Sequence, residues 1–510
     1  MSVRQRAVVL AILALALAAA GQKYGESIVP RLSDHRGFHL IPVEDHVSDA
    51  AAAAFAPGAP RRVYFVLVDG LRADLAAQLG SWQALAGKGI CRRTHVSLPT
   101  VSRPVYAMIS TGLEQDRTGA RNNDETSPLA AESVWQVARE AGRHVAGFSS
   151  LAWWRELFPD GFSRYTVGGL DDDYFALAAQ AQEEVVLVHP VYVDEAGHQH
   201  GAASRDYRDA AARADRQLGA LLGAIDLTRD VIVVTADHGH SATGGHGGDA
   251  AQVSTTLTCY AGRGVAPSAH GIAPEITMEA RSIGPLLAVL AGLRFPRDMR
   301  PALGEAVWSD LGGLPAAYLA DRRAAEARFE DASAGLFEAY GLGRIRELVR
   351  GALATFVCAV GFALVAWRRR LGWGGRGAGG LVLWIVAIVA VEVLVYRLAR
   401  GSFDTTSINM RGEWIAWSIA IGLAVGGAGA LAHIFVFRKG GLRLTEDLLT
   451  LCFVGVGAAI AHAAAYGWTL GFPLPGAVGF FLPFFIAAMT TAHAVVAGAA
   501  ALFRAIRGVP

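Results

Sequence analysis

The stretch DVIVVTADHGHSATGGHGGD, residues 230–249, decides how this chain is expected to fold. Its Val231–Thr235 part is apolar and mostly β-branched, which predicts a strand in a parallel sheet that is buried on both faces. Asp237 and His238 follow at the carboxyl end of this strand, where open α/β sheets bind their ligands. The glycine-rich loop then returns His246 toward the same edge. The stretch therefore predicts a site of carboxylate and imidazole groups at a strand end.

Two further apolar runs end in the same way. Residues 63–68 lead into Asp69, and residues 185–193 lead into Asp194. Helical patterns lie between the runs, for example over residues 206–225, and this alternation predicts a mostly parallel sheet between helices. Three strands that each deliver a carboxylate to one edge are the arrangement that a metal site needs.

A polar, proline-rich segment over residues 94–109 carries two candidate nucleophiles. Thr100 and Ser102 both offer a hydroxyl, and the segment becomes helical directly after them. A hydroxyl at a helix N-terminus suits phosphate chemistry, because free backbone N–H groups and the helix dipole favour an anion there.

Composition separates the chain into two parts. The chain has 510 residues, of which 18% are charged, whereas a soluble domain has about 25% charged residues. Residues 25–345 have an ordinary globular composition, but residues 350–508 are almost continuously apolar. The net charge of +1 gives no reason to expect a nucleic acid partner. The cysteines lack CxxC spacing, which argues against a zinc–thiolate site, and one bridge between Cys91 and Cys259 is compatible with their even number.

The apolar segments predict an integral membrane protein. Residues 1–24 form an N-terminal membrane anchor or a secretory signal, because their apolar run is short for a membrane span. Basic residues lie in alternate loops of the C-terminal part, which puts the globular domain on the extracytoplasmic side. The expected five C-terminal spans lie near residues 350–367, 380–398, 414–437, 447–470 and 475–503. The expected domains are a linker over 25–61, a catalytic domain over 62–310, a helical connector over 311–349 and a transmembrane domain over 350–508.

The four polar clusters resemble motifs of the alkaline phosphatase superfamily and, more narrowly, of the glycosylphosphatidylinositol (GPI) ethanolamine phosphate transferases. The matching stretches are Val-Asp-Gly-Leu-Arg-Ala-Asp at 68–74, Pro-Thr-Val-Ser-Arg-Pro at 99–104, Asp-Glu-Ala-Gly-His-Gln-His at 194–200, and Asp-His-Gly with a later His-Gly at 237–247. The resemblance covers roughly residues 62–265 and implies an alkaline-phosphatase-like α/β domain. Eukaryotic members of the family carry more C-terminal spans than the five expected here.

The resemblance implies two metal ions, zinc in the first place and manganese as the alternative. Two metal ions about 4 Å apart can stabilise both the attacking and the leaving oxygen at phosphorus. His246 is chosen over His240 and His270 as a ligand because it lies in the matching His-Gly context. The implied ligands are Asp69, Asp237, His238 and the oxygen of Ser102 for one ion, and Asp194, His198 and His246 for the other.

The resemblance also assigns catalytic residues, and the sequence offers three candidates for substrate binding. Ser102 occupies the nucleophile position of its motif, with Thr100 as the alternative hydroxyl. Asn123 stands 21 residues after Ser102, where related nucleotide pyrophosphatase/phosphodiesterases have an asparagine that donates to a phosphoryl oxygen. Three residues are assigned to substrate binding, and the last of them is an acid within an expected span. They are His200, Arg103 and Glu392.

The function implied is transfer of phosphoethanolamine from phosphatidylethanolamine to a glycan or glycolipid hydroxyl, through a covalent intermediate on Ser102. The expected membrane spans favour a lipid donor, as in GPI-anchor biosynthesis. The alternative is a metal-dependent phosphodiesterase or lipid phosphatase in which water replaces the acceptor. A sulfatase is disfavoured because Ser102-Arg103-Pro104 does not fit the Cys/Ser-x-Pro-x-Arg signature.

Overall fold

The computed structural model describes residues 3–32, 42–120, 123, 127–267, 271–330, 411–437 and 477–507, together with residues 386, 387, 390, 391, 393–395, 397 and 398. The chain divides into two compact units. One unit comprises residues 33–339, and the other combines residues 1–32 with residues 340–510. The finer boundaries expected at residues 62, 311 and 350 remain proposals.

The unit of residues 33–339 is built on one eight-stranded sheet with the order β4-β3-β5-β1-β6-β7-β2-β8. Neighbouring strands are parallel except where β7 pairs with β6 and with β2. The sheet is therefore mixed but mostly parallel, as expected. The strands are β1 Val63–Leu67, β2 Gly89–His95, β3 Val145–Ser149, β4 Arg164–Val167, β5 Val185–His189, β6 Val231–Thr235, β7 Thr255–Gly262 and β8 Ile272–Glu279.

Helices cover both faces of the sheet. In this unit the structure describes helices α1 Asp49–Phe55, α2 Ala73–Ala76, α3 Gly80–Lys88, α4 Ser102–Thr111, α5 Gln115–Thr118, α6 Val134–Glu140, α7 Trp153–Leu157, α8 Tyr174–Ala179, α9 Tyr192–His200, α10 Arg205–Ala224, α11 Ala251–Ser254, α12 Ile283–Ala291 and α13 Gly304–Asp310, a further helix over residues 316–330, and 3₁₀ turns at Ala56–Gly58, Pro159–Gly161 and Ala280–Ser282.

The central strands β1, β5 and β6 explain why the sheet has two cores. Every residue of these three strands is buried. Successive side chains of a strand point to opposite faces, so Phe65 joins the core with Trp135 and Trp154, while Tyr64 and Val66 join the other core. The β-branched runs detected in the sequence are therefore strands covered by helices on both sides.

The expected strand over residues 185–193 ends earlier than predicted, at His189. Pro190 follows directly, and since it lacks an N–H group it cannot continue the ladder of hydrogen bonds. Residues 192–200 form helix α9 instead, so that Asp194 and His198 lie on one helix rather than after a strand. Their spacing of four residues puts both side chains on the same helix face.

The antiparallel strand β7 carries one half of a disulfide. Cys91 of β2 lies opposite Cys259 of β7, and the two residues form a disulfide bond. The bridge that the even cysteine count permitted is thus present. A disulfide inside a domain fits an oxidising compartment outside the cytoplasm.

The unit formed by the two ends of the chain contains three long described helices, Val3–Leu32, Arg411–Phe437 and Ala477–Arg507. The first and the last of these helices approach closely at Gly21, because a Cβ atom there would fall 2.8 Å from Thr491 Oγ1. Within the described residues, one segment, Ala487–Arg507, has both the length and the hydropathy of a membrane-crossing helix. The expected spans near 350–367 and 447–470 lie outside the described residues.

A buried ion-pair network ties the two ends of the sheet unit together. The Asp45 carboxylate accepts hydrogen bonds from Arg322 Nη1 at 2.7 Å, Arg328 Nη2 at 2.9 Å and the backbone amide of Phe295 at 2.8 Å. The side chains of Asp45 and Arg322 are both fully buried. Because removal of one partner leaves the other charge buried without compensation, this network is costly to break.

We therefore expect Asp45→Asn to lower the free energy of unfolding of this unit by about 3–5 kcal/mol. Chemical denaturation of the full-length protein in detergent, followed by tryptophan fluorescence, measures the change. Glu305→Gln is the matched control, because Glu305 pairs with Arg323 at the surface and exposed pairs contribute little. Equal stability of the two variants would contradict the role given to the network.

Candidate active site

The candidate site lies at the carboxyl ends of β1 and β6. Asp69 is the second residue after β1, and Asp237 and His238 are the second and third residues after β6. The two strands are parallel and paired in register, so their ends meet side by side. The backbone amide of Gly70 donates to Asp237 Oδ1 at 3.0 Å, which joins the two strand ends directly.

Ser102 is the first residue of helix α4 and completes a first ligand group, which we define as Asp69, Ser102, Asp237 and His238. The Nε2 atom of His238 lies 3.2 Å from Ser102 Oγ, 3.2 Å from Asp237 Oδ2 and 3.7 Å from Asp69 Oδ1. Ligand atoms around a tetrahedral zinc ion, with bonds of roughly 2.0 Å, are about 3.3 Å apart. The spacing of this group therefore fits a single zinc ion.

A second ligand group consists of Asp194, His198 and His246. His198 Nε2 lies 3.4 Å from Asp194 Oδ2 and 3.2 Å from His246 Nε2. His246 Nε2 lies 3.9 Å from Asp194 Oδ1. These separations also fit the edges of a zinc coordination sphere, and three protein ligands leave one position open, as catalytic zinc sites do.

His240 lies beside the second group. Its Nε2 atom is 2.7 Å from Asp194 Oδ1, which is a hydrogen-bond distance, and its side chain is fully buried. The ring packs against Gly197, where a Cβ atom would fall 2.5 Å from His240 Cδ2. His240 therefore orients the carboxylate of Asp194 and leaves Oδ2 to face His198. The glycine of the Asp-x-x-Gly-His motif makes room for this ring.

Asp69 and Asp237 each have one carboxylate oxygen that accepts hydrogen bonds and, among the described residues, one that does not. Asp237 Oδ1 accepts hydrogen bonds from two backbone amides, and Asp69 Oδ2 contacts the Tyr106 hydroxyl and His189 Nε2. Within the described part of the chain, the buried atoms Asp69 Oδ1 and Asp237 Oδ2 have no hydrogen-bond partner. Burying a carboxylate oxygen without a partner is costly. A cation would satisfy both atoms, so the residues present fit a metal ion.

The electrostatics of the carboxylates lead to the same conclusion. Burial raises the pKa of Asp69 well above its ordinary value, and repulsion from Asp194 adds to the shift. Burial likewise raises the pKa of Asp237, with repulsion from Asp69. Burial would also raise the pKa of Asp194, but hydrogen bonds from His198 and His240 hold it well below its ordinary value. Two of the three carboxyl groups thus lack a positive partner that would keep them ionised.

Two histidines are held in the form that binds a metal. Nδ1 of His246 donates to the carbonyl oxygen of Thr100 at 2.8 Å, and Nδ1 of His238 donates to that of Gly239 at 3.2 Å. Both Nε2 atoms therefore lack a proton and can act as ligands. Burial lowers the pKa of His246 to about 3 and that of His238 well below its ordinary value, with repulsion from His246 in the latter case. Neutral imidazole is the ligand form.

The two candidate nucleophiles have different surroundings. The Thr100 hydroxyl donates to the Gly248 carbonyl at 2.8 Å and accepts from the Gly247 amide at 3.0 Å. These bonds hold the loop that carries His246. Ser102 Oγ, in contrast, lies next to His238 Nε2 within the first ligand group. The geometry favours Ser102 as nucleophile and gives Thr100 a positioning role.

Asn123 and Arg103 flank the nucleophile. Asn123 Oδ1 accepts from the backbone amide of Arg103 at 3.0 Å, so the NH₂ end of the side chain is the one that can donate. The Arg103 guanidinium is buried, forms an ion pair with Glu156 and lies 4.5 Å from the centre of the Trp153 ring. Its role in substrate binding remains a prediction.

Three other residues considered for the site lie elsewhere or are not described. His200 is exposed at the end of α9 and does not belong to either ligand group. Glu392 and His270 lie outside the described residues. The substrate-binding roles of His200 and Glu392 remain predictions.

The structure adds residues that the motifs did not single out as contributors. Tyr106 and His189 contact Asp69, and His240, weighed earlier only as an alternative to His246, contacts Asp194. A polar residue that ends an otherwise apolar strand, such as His189 in β5, is a signal that sequence reasoning could have used.

Comparison with known families identifies the class of domain. Residues 63–254 match the family model described as type I phosphodiesterase / nucleotide pyrophosphatase. This part of the chain is therefore similar to the phosphodiesterase/nucleotide pyrophosphatase domains of the alkaline phosphatase superfamily, and the α/β fold expected from the motifs is confirmed.

The more particular resemblance is to GPI ethanolamine phosphate transferases, which are phosphotransferases of the same superfamily. The chain is 28% identical over 280 residues to the catalytic subunit of GPI ethanolamine phosphate transferase 3 of Mus musculus, a match that covers 48% of this chain and 25% of the relative. It is 25% identical to GPI ethanolamine phosphate transferase 1 of the same organism, with 52% and 33% covered. The homology expected from the motifs is confirmed, although the chain spans only a quarter to a third of these relatives.

Solved structures with some similarity in backbone arrangement include murine ectonucleotide pyrophosphatase / phosphodiesterase 5. That protein is 14% identical, with a TM-score of 0.42 and coverage of 50% of this chain and 100% of the other. A 2-O GAG sulfatase gives a TM-score of 0.41 at 14% identity, with 50% and 75% covered.

The Gly70 position tests how the ligand groups are held together. Gly70 has a φ of 71°, and a Cβ atom there would fall 2.8 to 2.9 Å from Asp194 atoms. We expect Gly70→Ala to displace Asp194 and to lower the bound zinc by about one ion per chain. Turnover should fall by about tenfold or more, because loss of a residue that orients a metal ligand typically has an effect of this size. Elemental analysis after dialysis measures the zinc.

Gly142→Ala is the matched control for this prediction. Gly142 has a similar φ of 76°, but a Cβ atom there meets nothing within 4 Å. Both variants carry the same backbone penalty, so a loss of zinc in both would mean that strain rather than contact with Asp194 is responsible.

Proposed function

We propose that the protein is a membrane-bound, metal-dependent phosphoethanolamine transferase. It moves phosphoethanolamine from phosphatidylethanolamine to a glycan or glycolipid hydroxyl through a covalent intermediate on Ser102. The observation that carries the proposal is the position of Ser102 Oγ, 3.2 Å from His238 Nε2, at the start of a helix and beside two ligand groups. The names of the homologous proteins support phosphoethanolamine as the group transferred.

The reaction has two displacement steps at one phosphorus atom. In the first, Ser102 Oγ forms a bond to phosphorus and the bond to the diacylglycerol oxygen breaks, so that the serine proton ends on diacylglycerol. In the second, the acceptor hydroxyl attacks phosphorus, the bond to Ser102 breaks, and the acceptor proton returns to the serine. In both steps the NH₂ group of Asn123 donates a hydrogen bond to a phosphoryl oxygen.

Two zinc ions are the proposed cofactors, with manganese as the alternative. The first ligand group, Asp69, Ser102, Asp237 and His238, would hold one ion, and the second group, Asp194, His198 and His246, would hold the other. When bound, such ions supply Lewis-acid stabilisation of the charge that develops on the phosphoryl, attacking and leaving oxygens.

The setting we propose is a catalytic domain on the extracytoplasmic side of a membrane. The apolar C-terminal segments, the disulfide and the membrane nature of the homologous transferases support it. Phosphatidylethanolamine would then reach the site from the outer leaflet. Arg103 and His200 would contact the substrate, and Glu392 would recognise the ethanolamine headgroup or the acceptor.

A phosphodiesterase or lipid phosphatase is the second candidate. The family model matched by residues 63–254 is described by phosphodiesterase and pyrophosphatase activities, in which water is the acceptor. The same two steps apply, with water attacking the serine-bound phosphorus. The two candidates differ in acceptor binding and in the exclusion of water.

Incubation of the full-length protein with zinc and phosphatidylethanolamine, followed by mass spectrometry of the peptide that contains Ser102, tests the proposal. We expect a phosphoethanolamine adduct on Ser102 and release of diacylglycerol. Ser102→Ala should remove the adduct and lower turnover by about three orders of magnitude or more, while about two zinc ions per chain remain bound.

Ser110→Ala is the matched control, because Ser110 lies eight residues further along the same helix, accepts a hydrogen bond from Trp135 Nε1 and belongs to neither ligand group. Free phosphoethanolamine without transfer to an added glycan acceptor would favour the hydrolase. Full activity of Ser102→Ala would contradict the role of the serine and return the nucleophile to Thr100 or to water.

A further inference from the structure

Asp69 is held by side chains that lie outside the four metal-site motifs. Its Oδ2 atom contacts the Tyr106 hydroxyl of helix α4 and lies 3.1 Å from His189 Nε2 at the end of β5. The Tyr106 hydroxyl lies 2.8 Å from the same His189 nitrogen. Two donors from different elements therefore converge on one oxygen, and Asp69 Oδ1 is left to the first ligand group.

A chain of hydrogen bonds sets the direction of these donors. The Leu151 amide donates to Ser149 Oγ at 3.0 Å, and Ser149 Oγ lies 2.7 Å from His189 Nδ1. When Asp69 is ionised, as a bound cation would make it, its Oδ2 atom can only accept, so the Tyr106 hydroxyl and His189 Nε2 are the donors and the Ser149 hydroxyl donates to Nδ1. This series of hydrogen bonds thus begins at the Leu151 backbone amide and ends at the Asp69 carboxylate.

Tight packing surrounds these hydrogen-bonded side chains. Tyr106 and His189 are fully buried. The Tyr106 ring stacks on Trp154 with 4.5 Å between ring centres, and the His189 ring stands edge-on to both. These contacts hold both donors in place against Asp69 Oδ2.

We propose that Tyr106 and His189 are positioning residues for metal binding, which turn Asp69 so that Oδ1 alone faces the ion of the first ligand group. The proposal rests on the function proposed above. It predicts that these two residues control the affinity of the first ion and leave that of the second unchanged. Partners of this kind typically change metal affinity by about 10–100-fold.

Zinc titration of the chelator-treated full-length protein in detergent, with a competing zinc indicator, tests this directly. We expect Tyr106→Phe to weaken one of two zinc-binding steps by about 10–100-fold and to leave the other within twofold or so. Tyr318→Phe is the matched control, since Tyr318 is equally buried but its hydroxyl donates to the Val289 carbonyl, and it contacts neither ligand group. Unchanged zinc affinities in Tyr106→Phe would overturn the role of the tyrosine.

A pair of substitutions at His189 separates orientation from general damage. His189→Gln keeps an N–H donor near the Nε2 position and should retain much of the zinc affinity, whereas His189→Leu removes the donor and should lose it at the same step as Tyr106→Phe. Equal loss in both variants, or loss at both binding steps, would overturn the proposal. If the unmodified protein bound no zinc, the proposed function itself would fail instead.

Discussion

Three carboxylates share one buried edge of the sheet, and their mutual repulsion is the constraint on which the site depends. Burial and the neighbouring carboxylates raise the pKa of Asp69 and Asp237, while Asp194 is held ionised by histidines. Each carboxylate has one oxygen tied to protein donors. The second oxygen of Asp69 and of Asp237 has no partner among the described residues. Positive charge at this edge, as divalent cations would supply, would keep all three carboxylates ionised.

Strand register and backbone conformation bring the charged residues of the site together. The register between β1 and β6 sets Asp69 beside Asp237. The left-handed conformation of Gly70 then lets the backbone turn close against Asp194, where a side chain would collide. Helix α4 starts at Ser102 and so presents the serine hydroxyl at the positive end of the helix dipole. The proposed attack on a phosphate ester requires this arrangement of the hydroxyl beside the two ligand groups.

The sequence predicts the parts of the site that follow from local pattern. The strand Val231–Thr235 and the pair after it were predictable, because β-branched runs and strand-end polar residues are local signals. The early end of β5 was missed because the apolar run continues past Pro190 and periodicity alone cannot separate strand from helix there, although the proline itself is a local signal for the end of a strand. Tyr106 and His189 meet only in three dimensions, 83 residues apart in the chain, so no local pattern predicts their contact with Asp69.

The central claim is that each ligand group binds one zinc ion, the first of them through the two carboxylate oxygens that lack a hydrogen-bond partner among the described residues. Anomalous diffraction at the zinc edge, from crystals of the zinc-loaded protein, tests it most directly. The account predicts two peaks about 4 Å apart, one within about 2.2 Å of Asp69 Oδ1 and Asp237 Oδ2 and the other equally close to Asp194 Oδ2 and His246 Nε2. A single peak, or a peak bound through Asp69 Oδ2, would contradict it.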